Sequence, residues 1–148
     1  MLAASHRKKP IINNFFKMDL NMNDLIYYVD ISIIQKGKLN ELKNAVQDLV
    51  EFVNLNESRP IAYNIYFNED GTQMTLMQIH PDSASLEFHL EIAGPVFQRF
   101  KDLIQLSTIQ IYGKPSDNLL NQLQRKAQML GNAKVVVHDF QSGFSRFP

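Results

Sequence analysis

The stretch IAYNIYFNEDGTQMTLMQIHPDSASLEFHLEIAGPVFQRF, Ile61 to Phe100, decides how the rest of the chain is read. It divides into a strand, an acidic Asn68-Glu69-Asp70-Gly71 turn, a second strand, and an amphipathic helix entered through His80-Pro81-Asp82. Asp-Gly between two apolar runs signals a hairpin, because glycine takes the positive φ that tight turns require. Pro81 suits the first turn of a helix, where an N–H would have no partner. Both faces of the hairpin are apolar. Ile61, Tyr63, Ile65 and Phe67 fall on one side, while Ala62 and Tyr66 flank Asn64 on the other. In the partner strand Met74 and Leu76 oppose Met77 and Ile79. An antiparallel sheet with one wet face alternates more cleanly. Helices are therefore expected on one face, and a second sheet or a partner subunit on the other.

Upstream, Tyr28 to Gln35 reads as the first strand, with Val29, Ile31 and Ile33 on one face and Tyr28, Asp30, Ser32 and Ile34 on the less apolar one. Gly37 turns the chain into a helix whose Leu39, Leu42, Val46, Leu49, Val50 and Val53 recur at three-and-four spacing. Pro60 ends that segment by disfavouring helical geometry at Arg59. Downstream, Leu86, Leu90, Ala93, Phe97 and Phe100 continue a second helical stripe, which Gly94-Pro95 is expected to break or kink. Leu106 to Tyr112 reads as a fourth strand, Ser116 caps a third helix ending near Gly131, and Ala133 to Phe140 is a fifth strand. The first six elements follow the split βαβ pattern of a ferredoxin-like sandwich, an α+β fold with an antiparallel sheet. We expect a tail over residues 1–24, the domain proper over 25–113, and a helix-and-strand extension of it over 114–148.

The segment from Tyr28 to Tyr112 resembles the antibiotic biosynthesis monooxygenase-like (ABM-like) domain, the dimeric α/β-barrel group that includes quinol and polyketide monooxygenases. Three features carry the resemblance: Gly37-Lys38 ahead of the first helix, Ala62-Tyr63-Asn64-Ile65-Tyr66 on the second strand, and Leu86-Glu87-Phe88-His89-Leu90 followed by Val96-Phe97 on the second helix. The resemblance implies a homodimer packed sheet to sheet as a barrel, and a pocket between sheet and helices in each subunit. It also implies a cofactor-independent monooxygenase, or a related small-molecule enzyme, acting on an aromatic or quinol-like substrate. A non-catalytic ligand-binding or dimerisation module of the same fold is the alternative. Where the family often ends its third strand in tryptophan, this chain has His80. Two extra residues fall around Ile92 to Gly94. Phe100 and Lys101 stand where the haem-degrading branch carries its axial histidine, so no haem and no other cofactor is expected.

On this reading His89 and Asn64 are the catalytic candidates, with Tyr63, Tyr66, His80 and Phe97 lining a small apolar or aromatic ligand. His89 has two roles open to it, a proton shuttle in an apolar pocket or a hydrogen bond to the surrounding structure. His80 lies where a strand passes into a helix, either lining the pocket or solvated in a loop. Asn64 and the tyrosines suit stabilisation of a phenolate, or equally a polar sheet interface. Asp30 needs a cationic partner from a helix or another subunit. His80, His89 and His138 have no metal-ligand spacing, and no metal is expected.

Lysine plus arginine equals aspartate plus glutamate at 15 each. A chain without basic excess is poorly suited to a polyanion, and the strands lack the Lys/Arg-Gly-aromatic signature of RNA binders; no nucleic-acid partner is expected. With no cysteine, thiolate chemistry and disulfides are excluded. No apolar run approaches the roughly 20 residues that span a bilayer. The basic cluster His6-Arg7-Lys8-Lys9 is not followed by the apolar core of a signal peptide. A soluble, cytoplasmic protein is the expectation.

Overall fold

The computed structural model describes residues 20–147. In chain order these residues form β1 (Ile26–Ile34), α1 (Leu39–Asn56), β2 (Ala62–Phe67), β3 (Gln73–His80), α2 (Ser83–Phe97), β4 (Ile104–Tyr112), α3 (Asp117–Leu130) and β5 (Lys134–His138). The expected tail falls mostly outside the described residues. One sheet carries the strands in the order β2-β3-β1-β4-β5. β3 lies antiparallel between β1 and β2, and β4 pairs antiparallel with β1, which is the ferredoxin-like arrangement. β5 runs parallel to β4, and α3 provides the crossover that a parallel pair requires.

The hairpin and the helix ends form for local reasons. Gly71 closes the β2–β3 turn at φ +69°, and a Cβ there would lie 2.8 Å from the side chain of Leu39. Asp82 caps α2 by accepting from the Ser85 N–H at 2.9 Å. Ser116 caps α3 by accepting from the Leu119 N–H at 3.0 Å. Gly131 ends α3 at φ +141°, where a Cβ would meet the Leu106 backbone.

The expected break at Gly94-Pro95 does not occur there. α2 stays helical through Pro95 to Phe97, and only then tightens into a 3₁₀ turn over Gln98–Asp102. Proline removes one i→i−4 hydrogen bond, but its fixed φ is itself helical. Packing of Ala93 and Phe97 in the core holds the helix across that gap.

Burial alternates cleanly along the central strands. Ile26, Tyr28, Asp30, Ser32 and Ile34 of β1, with Met74, Leu76, Gln78 and His80 of β3, are covered by the helices. The polar face of β1 is therefore the covered one. The other face carries Tyr27, Val29 and Ile31, with Val29 opposite Met77 and Tyr27 opposite Ile79. Ile33, Met77 and Tyr66 on it are 54%, 45% and 52% exposed. The extension is docked by apolar packing: Leu119, Leu123 and Leu130 of α3 are buried, each contributing about 1.5–3 kcal/mol.

Candidate active site

Helix periodicity places His89 on the stripe of α2 that faces the sheet, between Leu86 and Ala93. Its imidazole is fully buried, and Nδ1 lies 2.7 Å from Oε2 of Glu57, whose side chain is 1% exposed. Glu57 is the residue that ends α1, with its own N–H bonded to the Val53 carbonyl. A carboxylate only accepts, so the hydrogen of the pair sits on Nδ1 and the lone pair is left on Nε2. Burial lowers the His89 pKa, and the bond to Glu57 offsets this only in part. The ring is a neutral imidazole. Its Nε2 is buried and has no partner among the described residues.

Tyr63 of β2 stands edge-on to His89, with ring centroids 5.2 Å apart. Its hydroxyl is buried without a partner among the described residues, and burial, then the Asp30 and Glu57 charges, hold its pKa well above the ordinary range. It is a hydroxyl donor at any working pH. Phe97 meets His89 edge-on from the end of α2 at 5.6 Å.

His80 ends β3 next to this group, its ring 6.1 Å from His89. It is fully buried, not solvated. Nδ1 lies 2.7 Å from Ser85 Oγ and Nε2 2.7 Å from Gln78 Oε1. Burial, with His89 as neighbour, pushes its pKa down to about 3. With both nitrogens engaged, His80 orders the strand-to-helix junction and has no lone pair to offer.

A second buried group lies alongside. Lys126 of α3 reaches in with 6% of its side chain exposed, 3.2 Å from Asp30 Oδ2, and donates to Tyr28 Oη at 2.7 Å. Tyr28 donates in turn to Asp30 at 2.5 Å. Burial, then the Asp30 charge, raises the Tyr28 pKa well above its usual value. The ammonium also stands over the Phe97 ring, 4.6 Å from its centroid. Phe97 thus separates the His89–Glu57 pair from the Lys126–Asp30 pair.

Of the residues singled out in the sequence, Tyr63, His80, His89 and Phe97 meet beneath the helices. Asn64 and Tyr66 do not join them: both are exposed, and strand alternation puts them with Ala62 on the open face of the sheet. His138 lies in β5, stacked on Tyr112 at 4.5 Å, and its Nε2 is 2.6 Å from Gln110 Oε1. Among the described residues no three metal-ligating side chains gather into a site. Sequence reasoning missed Glu57 and Lys126. Lys126 had a signal, since it falls within the Leu119, Leu123, Ala127, Leu130 stripe of an otherwise solvated helix. Glu57, in a polar segment that ends a helix, had none.

No protein-family model matches the sequence, and no curated protein matches it as a relative. Solved structures do match. MupZ from Pseudomonas fluorescens superposes with a TM-score of 0.67 at 19% identity, over 85% of this chain and 92% of that one. Residues 1–113 alone cannot reach that share, so the match extends beyond residue 113. A Caulobacter crescentus protein provisionally described as an antibiotic biosynthesis monooxygenase gives 0.57 at 15% identity, over 66% of this chain and 96% of that one. SnoaB, a cofactor-independent oxygenase from Streptomyces nogalater, gives 0.54 at 11% identity, over 63% and 95%. The chain has the ABM-like ferredoxin fold, with a helix and a strand added. At these identities the likeness is one of fold.

Proposed function

We propose that this protein is a small-molecule enzyme in which His89 acts as general base on an aromatic, quinol-like substrate, in the manner of a cofactor-independent monooxygenase. The observation that carries the reading is the Nε2 lone pair. It belongs to a buried, neutral imidazole whose other nitrogen is fixed by a buried carboxylate, and among the described residues it has nothing to accept from. Orientation by a second group and a free lone pair are what a positioned base requires. The Tyr63 hydroxyl beside it supplies a donor for the oxyanion that forms.

The chemistry balances without a cofactor. His89 takes the hydroxyl proton, and the electron-rich anion reduces dioxygen. One oxygen atom bonds to a ring carbon. The other leaves as water with the ring hydrogen and the proton that His89 returns. A phenol and dioxygen become a quinone and water.

The exposed apolar sheet face, with Ile33, Met77 and Tyr66, supports a homodimer packed through it. Asn64 would then sit at that interface, away from the base.

An oxygen electrode and a panel of hydroquinones and naphthols test the proposal. Uptake of one dioxygen per substrate, lost in His89→Gln, is the expected result. Tight binding with no uptake would overturn it in favour of a ligand-binding module.

A further inference from the structure

His89 is fully buried, so a ligand needs a way to it. We propose that the groove between α2 and α3 is the mouth of the site, that it takes aromatic molecules bearing an acidic hydroxyl, and that Phe97 is the gate between groove and base. The inference rests on reading His89 as the base, and it adds the route and the ligand chemistry.

The groove encloses about 340 Å³, with Leu90, Gly94 and Phe97 on the α2 side and Gln122, Lys126 and Met129 on the α3 side. That volume lies at the small end of ligand pockets. Gln98 Nε2 reaches Met129 Sδ across it at 2.9 Å. Gly94 is not there for packing: a Cβ on it would meet nothing within 4 Å. The groove therefore has room at Gly94 for a larger side chain.

Two polar atoms in the groove match a hydroxyl. Lys126 spends its hydrogen bonds on Tyr28 and Asp30, and an ammonium has a third hydrogen to give. Gln122 Oε1 is buried with no partner among the described residues. Gln122 and Lys126 are four residues apart on α3, so they share a face one turn apart. A phenol donates to Gln122 and accepts from Lys126; once ionised, it keeps the ammonium. Other charges bear on the groove. Asp30 neutralises Lys126 within the sheet, while Glu91 and Arg125 at the rim offset each other.

Phe97 connects the two sides. One ring contacts His89 at 5.6 Å and Lys126 at 4.6 Å. It stands where α2 gives way to the 3₁₀ turn, two residues beyond Pro95, which cannot donate to the helix ladder. The ring is packed in the core, so opening the gate means turning it out of that packing at a junction short of one backbone bond. Nor is the buried ion pair required to dock α3. A pair of this kind is close to neutral for stability compared with apolar residues, and the three leucines already hold the helix.

The test uses 4-nitrophenol against 4-nitroanisole, which lacks the acidic hydrogen, with NMR of ¹³C-methyl methionine on the full chain. The expected result is binding of the phenol about tenfold tighter, or 1.4 kcal/mol, with the Met129 methyl shifted more than that of Met77. Gly94→Leu fills the mouth and is expected to weaken both ligands with an unfolding transition no lower than that of the wild type, since leucine is the better helix former. Gln122→Leu removes the preference for the phenol and spares nitroanisole. Equal affinities, an unshifted Met129, or wild-type binding by both variants would overturn the proposal. The two readings fail separately. Binding in this pattern without quinol turnover leaves the mouth in place and removes the base. Turnover unaffected by Gly94→Leu leaves the base and removes the mouth.

Discussion

Glu57, the residue that ends α1, accepts a hydrogen bond from Nδ1 of His89 on α2 at 2.7 Å, across 32 positions of sequence and with both side chains buried. The pair fixes which nitrogen carries the proton. Glu57→Ala strands a buried N–H, which costs about 1–3 kcal/mol, whereas Glu57→Gln retains an acceptor and costs less. Chemical denaturation of the two variants checks the order. In oxygen uptake, His89→Gln is expected to lose about 10²–10⁴-fold, and Glu57→Ala is expected to lower kcat more than it raises KM.

Stability should fall in mild acid. His80, pushed down to about pH 3, and His89, also lowered, stay neutral in the folded chain, whereas unfolded histidines take a proton near pH 6.5. Between those values the unfolded state binds more protons, so the stabilisation is complete above about pH 6.5. It is lost as pH falls, at about 1.4 kcal/mol per pH unit from His80 between its two values, with His89 adding a loss of the same sign. Urea unfolding at pH 7.5, 6 and 5 measures this. A flat profile would mean that both imidazoles are solvated. By the same shift, the base in His89 is expected to stay active below the pH at which an ordinary histidine protonates.

Lys126→Met leaves Asp30 buried without its cation, a loss of about 3–5 kcal/mol. Adding Asp30→Asn removes the stranded charge and is expected to restore most of it. A double-mutant cycle by thermal denaturation reads the coupling. Additive losses would show that the two groups do not interact.

Light scattering of the purified protein is expected to give twice the chain mass. Met77→Asp and Ile33→Asp, each placing a charge on the open sheet face, should yield monomers with little loss of secondary structure. Wild-type chains that remain monomeric at micromolar concentration would leave that face without a second copy.

Much of the fold was legible because its signals are local. The Asn68–Gly71 turn, the Ser116 cap and, apart from the exposed Val50, the stripe of α1 each depend on residues within a few positions of one another, and each appears where the sequence put it. Pro81, expected in the first turn of α2, instead precedes the cap, which is Asp82. The break expected at Gly94-Pro95 was a second local signal that failed. There the core contacts of Ala93 and Phe97, invisible in the pattern, outweigh one missing hydrogen bond.

The site was only half legible. His89 and Tyr63 could be picked out as polar groups on apolar stripes, and Asp30 as a carboxylate in want of a cation. By itself the sequence determined periodicity, turns and caps, and through them a split βαβ sandwich with both sheet faces in need of cover. Tertiary structure alone decided that the polar face of β1 lies beneath the helices, that the Tyr63 face of β2 rather than the Asn64 face is the covered one, and that Glu57 and Lys126 become the partners of His89 and Asp30. The reason is physical. Burial and hydrogen bonding across 32 and 96 positions arise only once the layers pack, and no short-range pattern encodes which polar group will lie opposite another.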